Sequence, residues 1–440
     1  MVARRSLAGG VIAIMAVGFG FGIIRANVPN TLSYFLFDIG LIGMYGAVWS
    51  RPLTPVQRYK SRQLLSWLAI LVALPLVFFL VPRQDLLVQL VGLRTAIFFL
   101  PFMLIGAMME GAQYYQLALG ISVLNLVALA FAVAEVVFGL EAFFPHNAVT
   151  HIMYNMHLEY LNHAAAKEAF RIPSCFSDSA HYGMTMTLSL PLLIGASVQR
   201  HRKRWARYLL IAGLGAALSG VFISASRTQA LILTAIILFS LFSGRLGPRF
   251  MLGWLALLLG LGILVAHSPR LQRFRTLDAQ FVGERASMSA NSRFFTLVAD
   301  YPLGIGLGAG GSVLPEFLQA RIGHAPNLEN EYSRILLEEG IPGLLTWIAF
   351  LFWVFCRKPV KPWEEWVLAR KLAWFTCLLY FATAWTGIGL LVSIPGSALL
   401  FLMTGWIVAA QPSGVMLAHG TPDEWRHQIY QSRLRYELQA

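Results

Sequence analysis

Residues 115–140 read Tyr115-Gln-Leu-Ala-Leu-Gly-Ile-Ser-Val-Leu-Asn-Leu-Val-Ala-Leu-Ala-Phe-Ala-Val-Ala-Glu135-Val-Val-Phe-Gly-Leu140, an apolar run with one carboxylate. A run of roughly 20 such residues matches the hydrocarbon thickness of a bilayer. Water is absent there, so backbone groups must bond within the segment and the run must be a helix. The pattern recurs at 7–24, 30–49, 64–82, 89–109, 181–198, 208–224, 228–243, 250–267, 334–356, 372–392 and 396–411. The sequence therefore predicts an all-α, polytopic membrane protein with about twelve transmembrane helices. Composition agrees: 57% of the 440 residues are hydrophobic and 12% charged, with mean hydropathy +0.63. Soluble domains carry about 25% charge.

The net charge of +13 is not a nucleic-acid signature in such a chain. Basic residues of membrane proteins collect in short cytoplasmic connections. With a cytoplasmic N-terminus, four basic groups all fall inside: Arg51 with Arg58, Lys60 and Arg62; Arg200 to Arg207; Arg245 with Arg249; and Arg357, Lys358 and Lys361. Both termini are then cytoplasmic. The N-terminal Met-Val-Ala-Arg-Arg-Ser could open a signal peptide, but no small-x-small cleavage site follows, and an uncleaved first helix is expected. The chain divides into N-terminal spans over 1–140, a central region over 141–343, C-terminal spans over 344–411 and a polar cytoplasmic tail over 412–440. Cys175, Cys356 and Cys377 have neither metal-site nor disulfide spacing.

Two long connections, 141–180 and 268–333, fall outside, on the periplasmic face. Connections longer than about 12–15 residues are usually functional or disordered. Phe281, Phe294, Phe295, Tyr301 and Phe317 argue for order, with short helices on the membrane surface; residues 153–170 repeat at helical spacing. The second connection and the helix start after it carry Arg270, Arg273, Arg275, Arg285, Arg293, Arg321, His324, Glu329, Asn330, Glu331 and Arg334. So many charges in one outer loop point to a charged ligand, and a lipid-linked phosphate is the expected one.

Several stretches could carry that chemistry. Ser224-Ala-Ser226-Arg227-Thr228 closes one run and opens the next on the outer side. Hydroxyls around an Arg suit an anion at a helix N-terminus; the alternative is an Arg that marks a turn and snorkels to the interface. Arg293 precedes the Gly-rich turn Pro302-Leu-Gly304-Ile-Gly306-Leu-Gly308-Ala-Gly310-Gly311. Such a turn lets backbone approach a ligand or serves as a flexible connector. It is no nucleotide fingerprint, lacking a preceding strand and a closing Lys-Ser/Thr. Asn330-Glu-Tyr-Ser-Arg-Ile-Leu-Leu-Glu338-Glu339-Gly-Ile-Pro-Gly343 enters the membrane, where a carboxylate must be paired or face a cavity. A kink at 340–343 with entering water is the plainer account. His324 is open to three readings: base, phosphate donor or ordinary loop histidine.

Taken in order, Arg171 to Phe176, Ser224-x-Ser226-Arg227, Arg293, the Pro-Leu-Gly-Ile-Gly-x-Gly at 302–308 and the Asn-Glu-Tyr-x-x-x-Leu-x-Glu-x-Gly-Ile-Pro-Gly at 330–343 resemble the O-antigen ligase and Wzy-type polysaccharide polymerase family. The resemblance implies a GT-C-like, inverting, metal-independent glycosyltransferase of the bacterial inner membrane with no cofactor. Its donor would be an undecaprenyl-diphosphate-linked glycan. Its acceptor would be a sugar hydroxyl on lipid A–core or on a second lipid-linked glycan. Arg227 and Arg293, joined by Arg171, would hold the diphosphate, with Ser224, Ser226, Asn330, Gly306 and Gly308 in support. Family ligases place a His before the residue that opens the helix; here that position is Glu329, so the base is Glu329 or His324. The missing His leans the expectation toward a surface or exopolysaccharide polymerase.

The physical logic is independent of the family. Negative charge grows on the diphosphate as the sugar C1–O bond breaks, and fixed guanidinium groups stabilise it most at that stage. Arginine does so with bidentate bonds that Lys cannot match. A carboxylate or His near the attacking hydroxyl can take its proton. No Asp-x-Asp occurs in the outer loops, so no metal site is expected. Two other classes compete. A transporter or flippase of a lipid-linked saccharide predicts two similar halves, and no duplication is visible. An assembly scaffold would leave Arg227 and Arg293 without a role.

Overall fold

The computed structural model describes residues 2–81, 83–155, 171–199, 203–242, 252–253, 260, 283, 294–311, 314, 318, 321–322, 328, 330–357, 366–387, 389 and 391–409. Every regular element among them is a helix: α1 Val2–Arg5, α2 Leu7–Asn27, α3 Leu36–Trp49, α4 Pro55–Phe79, α5 Leu86–Ile97, α6 Phe102–Met108, α7 Gly111–Phe138, α8 His151–Asn155, α9 Ser179–Val198, α10 Arg204–Ile223, α11 Arg227–Phe242, α12 Phe294–Asp300, α13 Glu331–Phe355, α14 Val367–Thr383 and α15 Gly396–Val408, with short 3-10 turns at Thr31–Phe35 and Leu140–Ala142. Seven stretches are long and apolar enough to cross a membrane: Leu7–Asn27, Leu32–Trp49, Pro55–Phe79, Leu86–Met108, Gly111–Phe138, Arg204–Ile223 and Glu331–Phe355. Helices α11 and α15 are apolar but shorter. The protein is a multi-pass membrane protein by this architecture.

Local chemistry sets several boundaries. Helix α4 begins with a capping box, in which Thr54 Oγ1 accepts from Gln57 N and Gln57 Oε1 from Thr54 N. It therefore starts upstream of the apolar run and carries Arg58, Lys60 and Arg62 in its first turns. The expected span 89–109 is interrupted at 98–101, where Pro101 ends α5's continuation and opens α6. The expected span 372–392 stops as a helix at Thr383, and the described residues of 384–395 are not helical. Hydropathy registered the apolar content there but not the helix-breaking Gly387, Gly389 and Pro395. The expected span 250–267, residues 156–170 of the expected surface helix and the tail 412–440 lie outside the described residues, apart from three isolated positions in the first.

Small residues let the helices close on one another, the usual basis of packing in lipid. Gly213 of α10 lies on Ser122 of α7, and Gly220 on Tyr182 and Met186 of α9. Gly106 of α6 and Gly405 of α15 interlock at Leu402 and Met103. Asn125 Nδ2 donates to Ser189 Oγ at 3.1 Å, tying α7 to α9.

Alternate connections gather at opposite ends of the bundle. At one end Gln57 donates to the Met108 carbonyl at 3.4 Å, Tyr114 packs on Trp366, and Arg370 donates to the Ile407 carbonyl at 3.3 Å. At the other, Asn27 donates to the Phe143 carbonyl at 2.8 Å, Gln84 to the Ile305 carbonyl at 3.1 Å, and Gly389 N–H to Glu331 Oε2 at 3.1 Å. The second end holds the candidate site.

Candidate functional site

The loop 171–178 is the site's fixed wall. Ser174 takes a left-handed φ of 56°, and both its polar groups are committed to α7. Its N–H donates to Glu135 Oε2 at 2.9 Å and its hydroxyl to the Ala128 carbonyl at 2.6 Å. Ile23 N–H of α2 donates to the Cys175 carbonyl at 3.2 Å, and Phe176 packs between Phe19 and Tyr182. A loop pinned so deeply holds its two ends, Arg171 and Asp178, in place.

Asp178 then opens α9. Its Oδ1 accepts from His181 N at 2.8 Å as an N-cap, while Oδ2 pairs with His181 Nδ1. Ser177 Oγ lies 3.0 Å from the same ring nitrogen. Burial raises the Asp178 pKa, but the charge and hydrogen bonds of His181 outweigh it, and the carboxyl ends below its ordinary value. The side chains of His181 and Asp178 keep 26% and 32% of their surface open, so both remain accessible from the cavity beside them.

That cavity, of about 290 Å³, is bounded by Arg171, Asp178 and His181 together with Gln229 of α11, Gly389 and Ser393. A second, of about 230 Å³, adjoins it across His181 and is bounded by Arg25, Tyr34, Arg94, Ser177 and the apolar Phe21, Val91 and Ile394. Three polar atoms at these walls, Arg171 Nε, Ser393 Oγ and Arg25 Nε, are buried without a hydrogen-bond partner. Most buried polar atoms are satisfied, so orphans clustered on a cavity mark where another polar group docks. Arg94 is bidentate to Asp38 at 2.7 and 2.9 Å, and Arg25 lies over the Tyr34 ring at 3.9 Å.

The α10–α11 corner brings the second predicted cation. Ser224 is buried and its hydroxyl donates to the Val221 carbonyl at 2.8 Å. Ala225 turns the chain with φ 51°, the Ser226 carbonyl accepts from Ala230 N at 3.1 Å, and Arg227 opens α11. Arg227 stands close enough to Arg171 to act on it. Burial lowers the Arg171 pKa, Asp178 raises it, and the positive charge of Arg227 lowers it again. Both side chains stay protonated, as guanidinium groups do in proteins.

Below the cavity, Asn330 caps α13 by accepting from Ser333 N at 2.6 Å. Arg334, 1% exposed, is held by Glu331 and by Glu338 at 2.7 Å. Glu338 Oε1 also accepts from Gly310 N at 3.3 Å. The helix breaks at Gly340, whose φ is 68°. The Gly-rich turn fills the break: Ile305 N donates to the Leu337 carbonyl at 2.8 Å, and Ile341 N to the Pro302 carbonyl at 2.9 Å. Gly304 and Gly340 approach so closely that a Cβ on either would meet the other's backbone at 2.6–2.7 Å. Gly306 backs onto Arg83 and Gln84, and Gly308 onto Val88.

Of the residues singled out from sequence, the structure puts Arg171 on the cavity wall within electrostatic reach of Arg227, Ser224 and Ser226 in the corner that presents Arg227, and Asn330, Gly306 and Gly308 in the scaffold beneath. Arg293, His324 and Glu329 lie outside the described residues. Asp178, His181, Arg25, Gln229 and Ser393 were not singled out. An Asp followed by a His at i+3 at a helix start was the one legible signal among them. Among the described residues no group of three or more His, Cys, Asp or Glu could hold a metal ion. Neither a family model nor a curated protein matches this chain. Fold and site together define a class: a multi-pass, all-helical membrane protein with a basic, two-part chamber at one end of its bundle.

Proposed function

We propose that the protein is an inner-membrane glycosyltransferase of the O-antigen ligase or polysaccharide polymerase type, GT-C-like in architecture. In this reading it moves a glycan from undecaprenyl diphosphate to a sugar hydroxyl, with inversion and without a metal. The observation that carries the reading is that Arg171 borders a cavity with unpartnered polar atoms and lies within electrostatic reach of Arg227, a cation from a motif far away in sequence. Two fixed cations there suit a diphosphate whose charge grows as the glycosidic bond breaks. The family resemblance would add Arg293, which lies outside the described residues. The acceptor is a second lipid-linked glycan or lipid A–core.

Topology supports this reading. Residues in or beside five connections predicted to lie outside line the two cavities: Arg25 and Tyr34; Met153, Arg171, Asp178 and His181; Gln229; Leu314; and Gly389, Ser393 and Ile394. Helix α11 leaves the cavity end and α13 starts there, which is what the predicted span at 250–267 would require. That crossing keeps the total at about twelve. The chamber then faces the periplasm, and the basic ends of α4 and α10 face the cytoplasm.

The test is reconstitution with a defined undecaprenyl-diphosphate glycan, offered lipid A–core or a second lipid-linked glycan in turn. Wild-type protein transfers the glycan to one of them. Arg171→Ala and Arg227→Ala each cut transfer by about 10²–10³-fold, the range for removing one donor to a developing anion, while the protein still inserts. Full transfer by both variants would remove the mechanism.

A further inference from the structure

The partition between the two cavities carries a group that no sequence motif pointed to. We infer that His181, oriented by Asp178, is the general base that takes the proton of the acceptor hydroxyl. The inference rests on the glycosyl-transfer reading above and assigns a residue within it.

The geometry is that of a held imidazole. Asp178 Oδ2 pairs with His181 Nδ1, and Asp178 Oδ1 is fixed by the His181 backbone N–H at 2.8 Å, so neither residue can turn without losing a bond. Asp178 stays ionised because its carboxyl is held below the usual carboxylate range. An ionised carboxylate on Nδ1 selects the Nδ1–H tautomer, and Nε2 is left with its lone pair. This is the arrangement by which a buried Asp orients a catalytic His and stabilises the imidazolium it becomes. The ring borders both cavities. A base between two substrates must occupy such a place, because the attacking oxygen approaches C1 from the side opposite the departing diphosphate.

The step balances without another reactant. The acceptor O–H gives its proton to His181 Nε2 as its oxygen bonds to the donor's C1. The C1–O bond to the diphosphate breaks, and its electron pair leaves with the lipid diphosphate beside Arg171 and Arg227. The imidazolium later returns its proton to water. The partner cavity suits an acceptor carried on a lipid, with Arg25 and Tyr34 among apolar walls.

The test uses the full chain, reconstituted with the defined donor and a lipid-linked acceptor glycan, and reads kcat, donor KM and the pH profile of kcat. His181→Gln lowers kcat by about 10²–10⁴-fold, the usual contribution of a general base, and leaves donor KM within about threefold, since it touches no donor phosphate. Asp178→Asn keeps an oxygen to cap α9, so it is a second, fold-preserving variant. It lowers kcat and moves the acid limb of the profile to lower pH, because the carboxylate that favours the imidazolium is gone. Asp178, Ser177 and Arg25 act on the ring, and Arg171, Tyr34 and Arg94 share its cavities; only Asp178 is changed.

Wild-type kcat in His181→Gln, or an unmoved acid limb in a folded Asp178→Asn, overturns the assignment. So does loss of the same limb in Glu329→Gln or His324→Ala with His181→Gln unimpaired, which moves the base to the large loop. A wild-type protein that transfers from no diphosphate donor defeats the function reading itself, an outcome distinct from these.

Discussion

Replacing Arg334 by Met tests whether the ion cluster under the chamber is structural. The side chain is 1% exposed and is held by Glu331 and Glu338, the latter at 2.7 Å. Met fills much of the same volume but leaves two buried carboxylates without their cation. Breaking a buried pair from one side costs about 3–5 kcal/mol, whereas replacing every member is often close to neutral. Arg334→Met is therefore expected to be destabilised by that amount, and the triple variant with Glu331→Gln and Glu338→Gln to recover most of it. Gln still accepts from Gly389 N and Gly310 N, the two backbone donors the carboxylates hold at 3.1 and 3.3 Å. An unfolding entropy of about 2.1 cal/mol/K per residue gives about 0.9 kcal/mol/K over the 440 residues, so the single variant melts roughly 3–5 °C lower. Thermal unfolding in detergent reads this directly. A single variant that melts with the wild type, or a triple variant no better than the single, would refute the account.

Two further predictions concern the backbone and the topology. Gly340→Ala forces a left-handed φ of 68° on a residue with a Cβ, aimed at Gly304 N at 2.6 Å. It should cost at least about 1–2 kcal/mol from the conformation alone, while Gly43→Ala, which meets nothing within 4 Å, should melt like the wild type. Cys356 is exposed and lies at the end of α13, whereas Cys175 is buried, with burial pushing its thiol up to about 12. A membrane-impermeant maleimide at pH 7.5 should label Cys356 in inverted vesicles but not in intact cells, and Cys175 in neither until the protein is unfolded; labelling of Cys356 in intact cells would reverse the orientation.

Most of the fold was legible because bilayer thickness and backbone satisfaction act residue by residue along the chain. Runs such as 115–140 needed no knowledge of their neighbours. The errors fall where a local breaker outweighed average hydropathy, as at Gly387 to Pro395, where the predicted span becomes the irregular wall that carries Gly389 and Ser393. The site was legible only in part. Arg227 stood out because hydroxyls flank it where one apolar run opens after another, and Arg171 because its stretch belongs to the family resemblance. The placing of Arg171 depends on Ser174 being pinned to Glu135 and Ala128 of a different helix, which no local pattern encodes. The same holds for Glu338, whose partner Arg334 lies one turn away but whose second bond comes from Gly310.

Two buried arginine environments in this molecule separate structure from function. Around Arg334 the fold supplies Glu331 and Glu338, and hydrogen bonds close the set. Around Arg171 it supplies burial and a second cation, Arg227, against one carboxylate, Asp178, that His181 already engages. Desolvating a guanidinium and placing another beside it both raise the energy of the charged state. A guanidinium buried in this way stores part of that energy in its site, and an anion arriving there gains it back. Perturbed groups of this kind cluster where ligands bind. A scaffold role would be served equally well by a neutral corner at 224–227, and a structural ion pair would resemble Arg334. Under the proposed reading, Arg171 at the wall it shares with His181 would put charge stabilisation and proton removal on either side of one reacting carbon.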